Sequence, residues 1–307
     1  MGARQVGKVD FLDIRPMTFG EFLDAIGENL RHENLKAGDW ELVDLQHEAY
    51  KELLKTYYYV GGMPEAVADY VETNDFREVR RTQKAILRAY DEDFEKHAQS
   101  HVMLAKLRLL WNNVPAQLAK ENKKFLYAAL RTGARAREYE DALEWLDAAG
   151  MIHIHRNVET PRLPLKSYEN YSAFKLYLVD VGLLGAMSDL SARTLLEKTA
   201  VFTNFKGALT EQYVLQELRA AEMPTAYWTH ARGNAEVDFL VQGETEVLPL
   251  ESKAEGNVRA QSLKVYRRLF TPRVSLRASL SEHRFGGEIL DLPLYALGPW
   301  LSRNMQV

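Results

Sequence analysis

From about residue 200 onward the apolar pattern changes its period several times, and this constrains the fold more than any other feature of the chain. FKGALTEQYVLQELRAAEM has the three-to-four spacing of an amphipathic helix. TAYWTH, AEVDFLV and TEVLPLESK are strand-like runs separated by glycine-containing turns. NVRAQSLKVYRRLF is helical again, and RVSLRASL is a fourth strand-like run. The order α-β-β-β-α-β predicts an α/β unit over residues 200–307.

Upstream, residues 11–101 read as a helical region. FGEFLDAIGENL places Phe19, Phe22, Leu23 and Ile26 on one face. HEAYKELLKTYYYV follows, and Gly61-Gly62-Met63-Pro64 predicts a tight turn before PEAVADYV and REVRRTQKAILRAYDEDFEKH. Residues 102–190 read as a separate unit. KLRLLWNNVPAQLAKE is helical with Pro115 as an interruption, KKFLYAAL is a short second helix, and RAREYEDALEWLDAAG is a third. Its stripe is Tyr139, Ala142, Leu143 and Leu146, and Gly150 is its stop. MIHIHRNV alternates as a strand, and PRLPLKSYENYSAFKLYLVDVGLL adds a turn and another apolar segment. Three helices followed by a β-ribbon is the order of a winged helix.

The chain has 307 residues, 46 % of them hydrophobic and 27 % charged, which fits a folded protein of two or three domains. It has no cysteine, so disulfides, thiolate nucleophiles, Cys-ligated zinc and iron–sulfur clusters are excluded. That composition fits a reducing compartment, and with no apolar signal segment the expectation is a cytoplasmic protein. No apolar run reaches a membrane span of about 20 residues. The longest, FKLYLVDVGLLGAM, is broken by Lys175 and Asp180. A net charge of −4 rules out a polycation that coats nucleic acid, while leaving room for a local basic face.

Chemistry-bearing residues collect in the last unit. Glu211 lies on its first helix, Asp238 inside AEVDFLV, and Glu251-Ser252-Lys253 at the end of the third strand. Strand alternation puts Glu251 and Lys253 on one face. Asp238 is expected to oppose Val237, Phe239 and Val241, so that one sheet face gathers Asp238, Glu251 and Lys253, with Glu211 arriving from the helix. Two carboxylates can hold Mg²⁺ or Mn²⁺, which stabilises charge on a scissile phosphate. Lys253 can hold a water and neutralise developing charge, and Glu211 can add a ligand or orient a metal-bound water. The competing reading of Glu251 and Lys253 is a plain salt bridge.

The segment from Gly207-xxx-Glu211 through Glu236-Val-Asp238 to Glu251-Ser-Lys253 resembles the PD-(D/E)XK nuclease-like fold, and Gln261 and Tyr266 resemble a Gln…Tyr element of some of its branches. RPMTFGEFL, YYYVGGMPEAV, YEDALEWLDAAGMI and AFKLYLVDVGLL resemble linking segments of bacterial and archaeal AAA-type ATP-binding proteins with a C-terminal domain of that kind. The resemblance runs from about residue 11 onward. It implies a mixed α and α/β protein: a helical region, a winged helix and a nuclease-like core. At residues 1–10, Gly2, Gly7 and Lys8 match GxxxxGK, but no strand precedes them, Val9 replaces the Ser or Thr, and Pro16 comes too soon for a helix. The segment reads as a degenerate P-loop stub, and ATP binding is not expected.

Lys123, Lys124, Arg131, Arg135 and Arg137, with Lys120, cluster before and at the start of the third helix of the winged-helix unit. A DNA-binding face, a solvated basic face and an intramolecular dock for the neighbouring domains are all open there. Arg259, Lys264, Arg267 and Arg268 make a second basic group, within a segment (201–307) that balances 12 basic against 12 acidic residues. His97 and His101 lack the HExxH form and read as a solvated face; His153 and His155 read as a surface ribbon. The chain is thus expected to be a Mg²⁺- or Mn²⁺-dependent, DNA-binding nuclease-like protein. The alternatives are a non-catalytic DNA- or protein-interaction module, or an ATPase-family subunit dependent on a protein partner or a second copy of itself.

Overall fold

A computed structural model describes residues 13–120, 123–196, 200–230, 235–255 and 261–305. The P-loop match at Gly2, Gly7 and Lys8, and Arg259 of the second basic group, lie outside the described residues. The helical region comprises α1 (Phe19–Ala25), α2 (Asn29–Ala37), α3 (Trp40–Leu45), α4 (His47–Val60), α5 (Pro64–Thr73) and α6 (Phe76–His97). Next come α7 (His101–Leu118), α8 (Glu140–Ala148), β1 (Ile152–Val158), β2 (Glu169–Leu178), α9 (Val181–Met187) and α10 (Ala192–Leu196). The last part holds α11 (Ala200–Ala220), β3 (Thr225–Thr229), β4 (Glu236–Gln242), β5 (Val247–Ser252), α12 (Gln261–Phe270), β6 (Ser275–Ser279), β7 (Arg284–Phe285), β8 (Ile289–Pro293) and α13 (Leu297–Asn304).

Local chemistry explains most of the boundaries. Thr18 and Glu21 close a reciprocal capping box on α1, whose Phe19, Phe22 and Leu23 are fully buried. That helix stops at Ala25, and Gly27 adopts φ +82° before α2, so the expected single helix is two. Gly61 and Gly62 separate α4 from α5, and Pro64 takes the first helical position, where its missing N–H costs nothing. A Cβ on Gly62 would meet Met17 O at 2.1 Å, so the chain packs backbone on backbone here.

Two local expectations are corrected. Pro115 lies inside α7 rather than interrupting it; the helix gives up one hydrogen bond and continues to Leu118. The segment KKFLYAAL forms only a 3₁₀ turn, Tyr127–Ala129, because its backbone is taken elsewhere: Phe125 N–H donates to Phe174 O, and the Gln117 side chain bonds Leu126. His97 and His101 are exposed, as expected of a solvated face, although they fall on different helices, with Ser100 capping the second.

All eight strands form one mixed sheet in the order β2-β1-β3-β4-β5-β6-β8-β7. The ribbon β1–β2 is antiparallel, and β1 runs parallel to β3, so the ribbon continues the sheet of the C-terminal unit. Strand β1 is therefore paired on both edges. His155 is fully buried and His153 half-buried, not residues of a surface ribbon. The sheet is covered on both faces. Leu209, Tyr213 and Leu218 of α11 share a core with Phe239, Val241, Leu248 and Leu250. Leu263 and Tyr266 of α12 share the second with Trp228, Val237, Leu240 and Val247.

Helix α11 is the centre of the molecule. Residues 208–218 are buried without a break, so this helix is not the amphipathic surface helix its spacing suggested. It packs on α9 and α13 as well as on β5. Its buried polar side chains therefore reach partners in every layer. Gln212 brackets Leu178 by accepting from its N–H and donating to its carbonyl, and Gln216 accepts from Val181 N–H and donates to Tyr57 OH. No helix among the described residues is long and apolar enough to cross a membrane.

Candidate active site

Glu211 occupies the middle of the buried stretch of α11. Lys123 Nζ lies 2.5 Å from its Oε1, and Tyr177 OH donates to Oε2 at 2.9 Å. Lys175, 1 % exposed, lies 3.7 Å from Oε2 and 2.6 Å from Glu236 Oε1, over the Tyr227 ring at 5.0 Å. Burial works against the Glu211 charge, but Lys123 and Lys175 outweigh it and hold the carboxyl well below its ordinary range. Burial likewise works against the Lys175 ammonium, and Glu211, Glu236 and Asp238 override it. Both stay charged, as a buried network whose members are paired.

Asp238 owes its aim to a bulge. Ala226 pairs with Leu240 and Trp228 with Val237, so Asp238 and Phe239 together stand against Tyr227. Val237 consequently faces the α12 core while Phe239 and Val241 face α11. The expected common face of Val237, Phe239 and Val241 does not exist, because simple alternation fails at the inserted residue. Asp238 Oδ2 accepts the Ser252 backbone N–H at 2.9 Å and the Ser252 hydroxyl at 3.0 Å. Burial first, and the Glu211 charge second, push the Asp238 carboxyl up to about 6.

Strand β5 runs antiparallel to β4 with Phe239 opposite Leu250, and beyond that pair Ser252, the neighbour of Glu251, reaches the Asp238 side chain. Glu251 Oε1 lies 2.6 Å from Lys253 Nζ, as alternation requires. Its Oε2 is buried without a hydrogen-bond partner. Burial pulls the Lys253 ammonium down, but Asp238, Glu251 and Glu211 raise it, so Lys253 stays protonated.

The donor set fits a divalent cation held by two carboxylates. Mg²⁺ takes one or two carboxylates and fills its shell with water and phosphate oxygens. The orphaned Glu251 Oε2 is a buried oxygen in want of a partner, and the next residue, Ser252, holds Asp238. Glu211 does not fit as a third ligand, since Lys123, Lys175 and Tyr177 already surround both its oxygens. Among the described residues no group of three or more His, Asp or Glu is placed to hold a metal.

Sequence reasoning missed Lys175, Tyr177, Glu236 and His155. Lys175 and Tyr177 stand two apart in the mostly apolar second half of β2 (AFKLYL), so they share a face, and an isolated lysine in such a run was the available signal. His155 lies across from Lys175 in the β1–β2 register, and its Nε2 donates to Asp238 O at 3.2 Å. Burial and the Lys175 charge keep it neutral, pushed down to about 3.

The basic residues divide. Lys123 is buried on Glu211 rather than displayed to a ligand. Lys124, Arg131, Arg135 and Arg137 are exposed, and Arg131 pairs with Glu138 at 3.0 Å. Helix α8, the third helix of the expected winged-helix unit, carries Glu140, Asp141, Glu144 and Asp147 and no basic residue. In the second group, Arg267 is structural, donating to Pro272 O, Ser275 Oγ and Glu288 O. Tyr266 is core, edge-on to Trp228, and Gln261 is exposed.

The molecule is thus a mixed α/β protein with a charged network buried where a central helix crosses an eight-stranded sheet. Residues 51–194 match a family described as a domain of unknown function (DUF8612), and residues 206–295 match a domain of unknown function (DUF4143). The second kind of domain is commonly found in AAA-ATPase-associated proteins. Its match spans Glu211, Asp238, Glu251 and Lys253. The first match contains β1 and β2, so the two matched segments contribute strands to one sheet. No curated protein and no solved structure matches the chain.

Proposed function

We propose that residues 200–307 form a PD-(D/E)XK nuclease-like domain that hydrolyses phosphodiester bonds of DNA with Mg²⁺ or Mn²⁺, in a protein derived from the AAA-type ATPase families. The observation that carries this reading is the buried, unpaired Glu251 Oε2 beside Lys253 and next in sequence to Ser252, which holds Asp238. Asp238 and Glu251 would hold the ion, which when bound supplies charge stabilisation at the scissile phosphate. Lys253, protonated, donates to the phosphate or holds a water there; it does not take a proton. Ser252 fixes the Asp238 carboxylate by two hydrogen bonds. Glu211 acts as a positioning residue: its charge raises Asp238 and helps keep Lys253 protonated.

DNA contact on this reading falls to the exposed Lys124, Arg131, Arg135 and Arg137 of a winged-helix-like unit, with Lys123 withdrawn to the Glu211 network. The acidic α8 places those contacts on the turn before the helix rather than on the helix. Incubating the protein with duplex and single-stranded DNA and Mn²⁺ tests the reading: cleavage is expected, and Asp238→Ala abolishes it without unfolding.

One observation favours a second reading. Glu211 is fully engaged by Lys123, Lys175 and Tyr177, as in a network that ties α11 to the sheet. On that account the chain is a non-catalytic interaction module serving a protein partner, and Asp238→Ala changes stability with no cleavage to lose.

A further inference from the structure

A second site stands on the same central helix. A cavity of about 420 Å³ opens between the end of α8 (Asp147, Gly150), His153 of β1, Gln216 and Arg219 of α11, and residues 13–16, which bring Arg15. Arg219 lies eight residues beyond Glu211, about 12 Å along the helix. Its guanidinium has no ion pair or hydrogen bond within the described residues, and its Nε is buried without a partner. Two carboxylates line the cavity: Asp147, whose Oδ1 accepts Ile154 N–H at 3.3 Å and whose charge, with that of Glu169, favours the Arg219 cation without a hydrogen bond to it, and Asp13, 3.6 Å from Arg15. Gln216 is committed to Val181 and Tyr57.

A guanidinium that faces a cavity with no hydrogen-bond partner is costly, and an oxyanion is the partner its planar fork best accepts. We propose that this cavity binds a phosphate group, free or as a phosphomonoester, with Arg219 as its main ligand and Arg15 as the second cation. The volume leaves room beyond the phosphate for an organic portion. His153 reports occupancy. Burial, then Arg219 and Arg15, hold its imidazole down to about 4, and an anion seated between those cations relieves their repulsion. The proposal is independent of the nuclease reading, since it uses none of Asp238, Glu251 or Lys253.

The test is an NMR titration of the His153 imidazole in the full chain, with His153→Asn supplying the assignment. Inorganic phosphate and glycerol phosphate are added separately, against chloride at matched ionic strength. Saturable shifts are expected, with the His153 pKa rising by about one unit, and Arg219→Gln weakening binding by about tenfold or more. A response to inorganic phosphate alone assigns a free-ion site, and a tighter response to glycerol phosphate assigns a phosphomonoester site. A His153 signal that follows phosphate no more than chloride overturns the proposal. That wild-type result stands whether or not Arg219→Gln folds.

Discussion

Ser252 gives both its backbone N–H and its hydroxyl to one oxygen of Asp238, across the β4–β5 ladder beside the bulge. The Asp238 carboxyl is nevertheless raised to about 6, since burial and Glu211 outweigh its neighbouring cations. A proton therefore competes with any cation at Asp238 below that pH. Divalent-ion affinity is expected to climb as pH rises through about 6 and to level off above it. Ser252→Ala removes one donor to the ionised form, so the midpoint should move to higher pH, at a cost of about 1 kcal/mol in stability. Calorimetric Mn²⁺ titrations at a series of pH values, with urea melts, check both.

Lys123 and Glu211 bind the 3₁₀ region to α11 as a buried pair. Removing one partner of such a pair costs about 3–5 kcal/mol, because the other charge is left buried. Lys123→Met is expected to fall in the lower part of that range, since Lys175 and Tyr177 remain on Glu211. The folded-state carboxyl lies below its unfolded value, so its stabilisation is present above the ordinary glutamate range and lost as pH falls. Lys123→Met should lose stability at a higher pH than the wild type on acid titration followed by circular dichroism.

Glu217 behaves in the opposite sense. It is 1 % exposed, accepts the Phe19 N–H on Oε1 at 2.8 Å, and leaves Oε2 without a partner. Burial first raises its carboxyl to about 7, against the Phe19 hydrogen bond, with Glu21 adding to the rise. A raised carboxyl stabilises the fold below its unfolded value and loses that contribution as pH rises through about 7. The melting temperature is expected to fall between pH 6 and pH 8 by about the range of a few degrees. Glu217→Gln should flatten that slope.

Asp180 is fully buried between two segments distant in sequence. It caps α9 through Leu183 N–H at 2.8 Å and accepts Gly62 N–H at 2.6 Å. Asp180→Ala leaves both N–H groups without that acceptor inside the core, and a loss of about 3 kcal/mol is expected in equilibrium unfolding. Asp180→Asn retains one acceptor oxygen and should lose less.

Much of this architecture is legible in the chain because it is locally determined. Residues 47–60 carry a helical period bounded by Gly61, and the strands of residues 225–279 alternate between glycine turns, so their boundaries can be read directly. What could not be read depends on contacts distant in sequence. The α11 segment has an ordinary mixture of Gln, Glu and apolar residues, and only its position between sheet and helices makes Gln212, Gln216 and Glu217 interior groups. The bulge at Asp238 and Phe239 carries no local signal. Lys123 read as one of a basic cluster, and its pairing with Glu211, 88 residues away, follows from the tertiary fold alone. Among the candidate residues, Glu251 and Lys253 could be paired from strand alternation, whereas the engagement of Glu211 by two lysines and a tyrosine could not.

On the proposed function, Asp238 and Glu251 together hold a divalent cation. Titrating Mn²⁺ into the full chain and into Asp238→Ala/Glu251→Ala, with and without DNA and above pH 7, tests it most directly. Saturable binding in the wild type that disappears in the folded double variant is the predicted result. Equal binding in both forms, or none in either with DNA present, contradicts it and leaves the buried charges as a structural network.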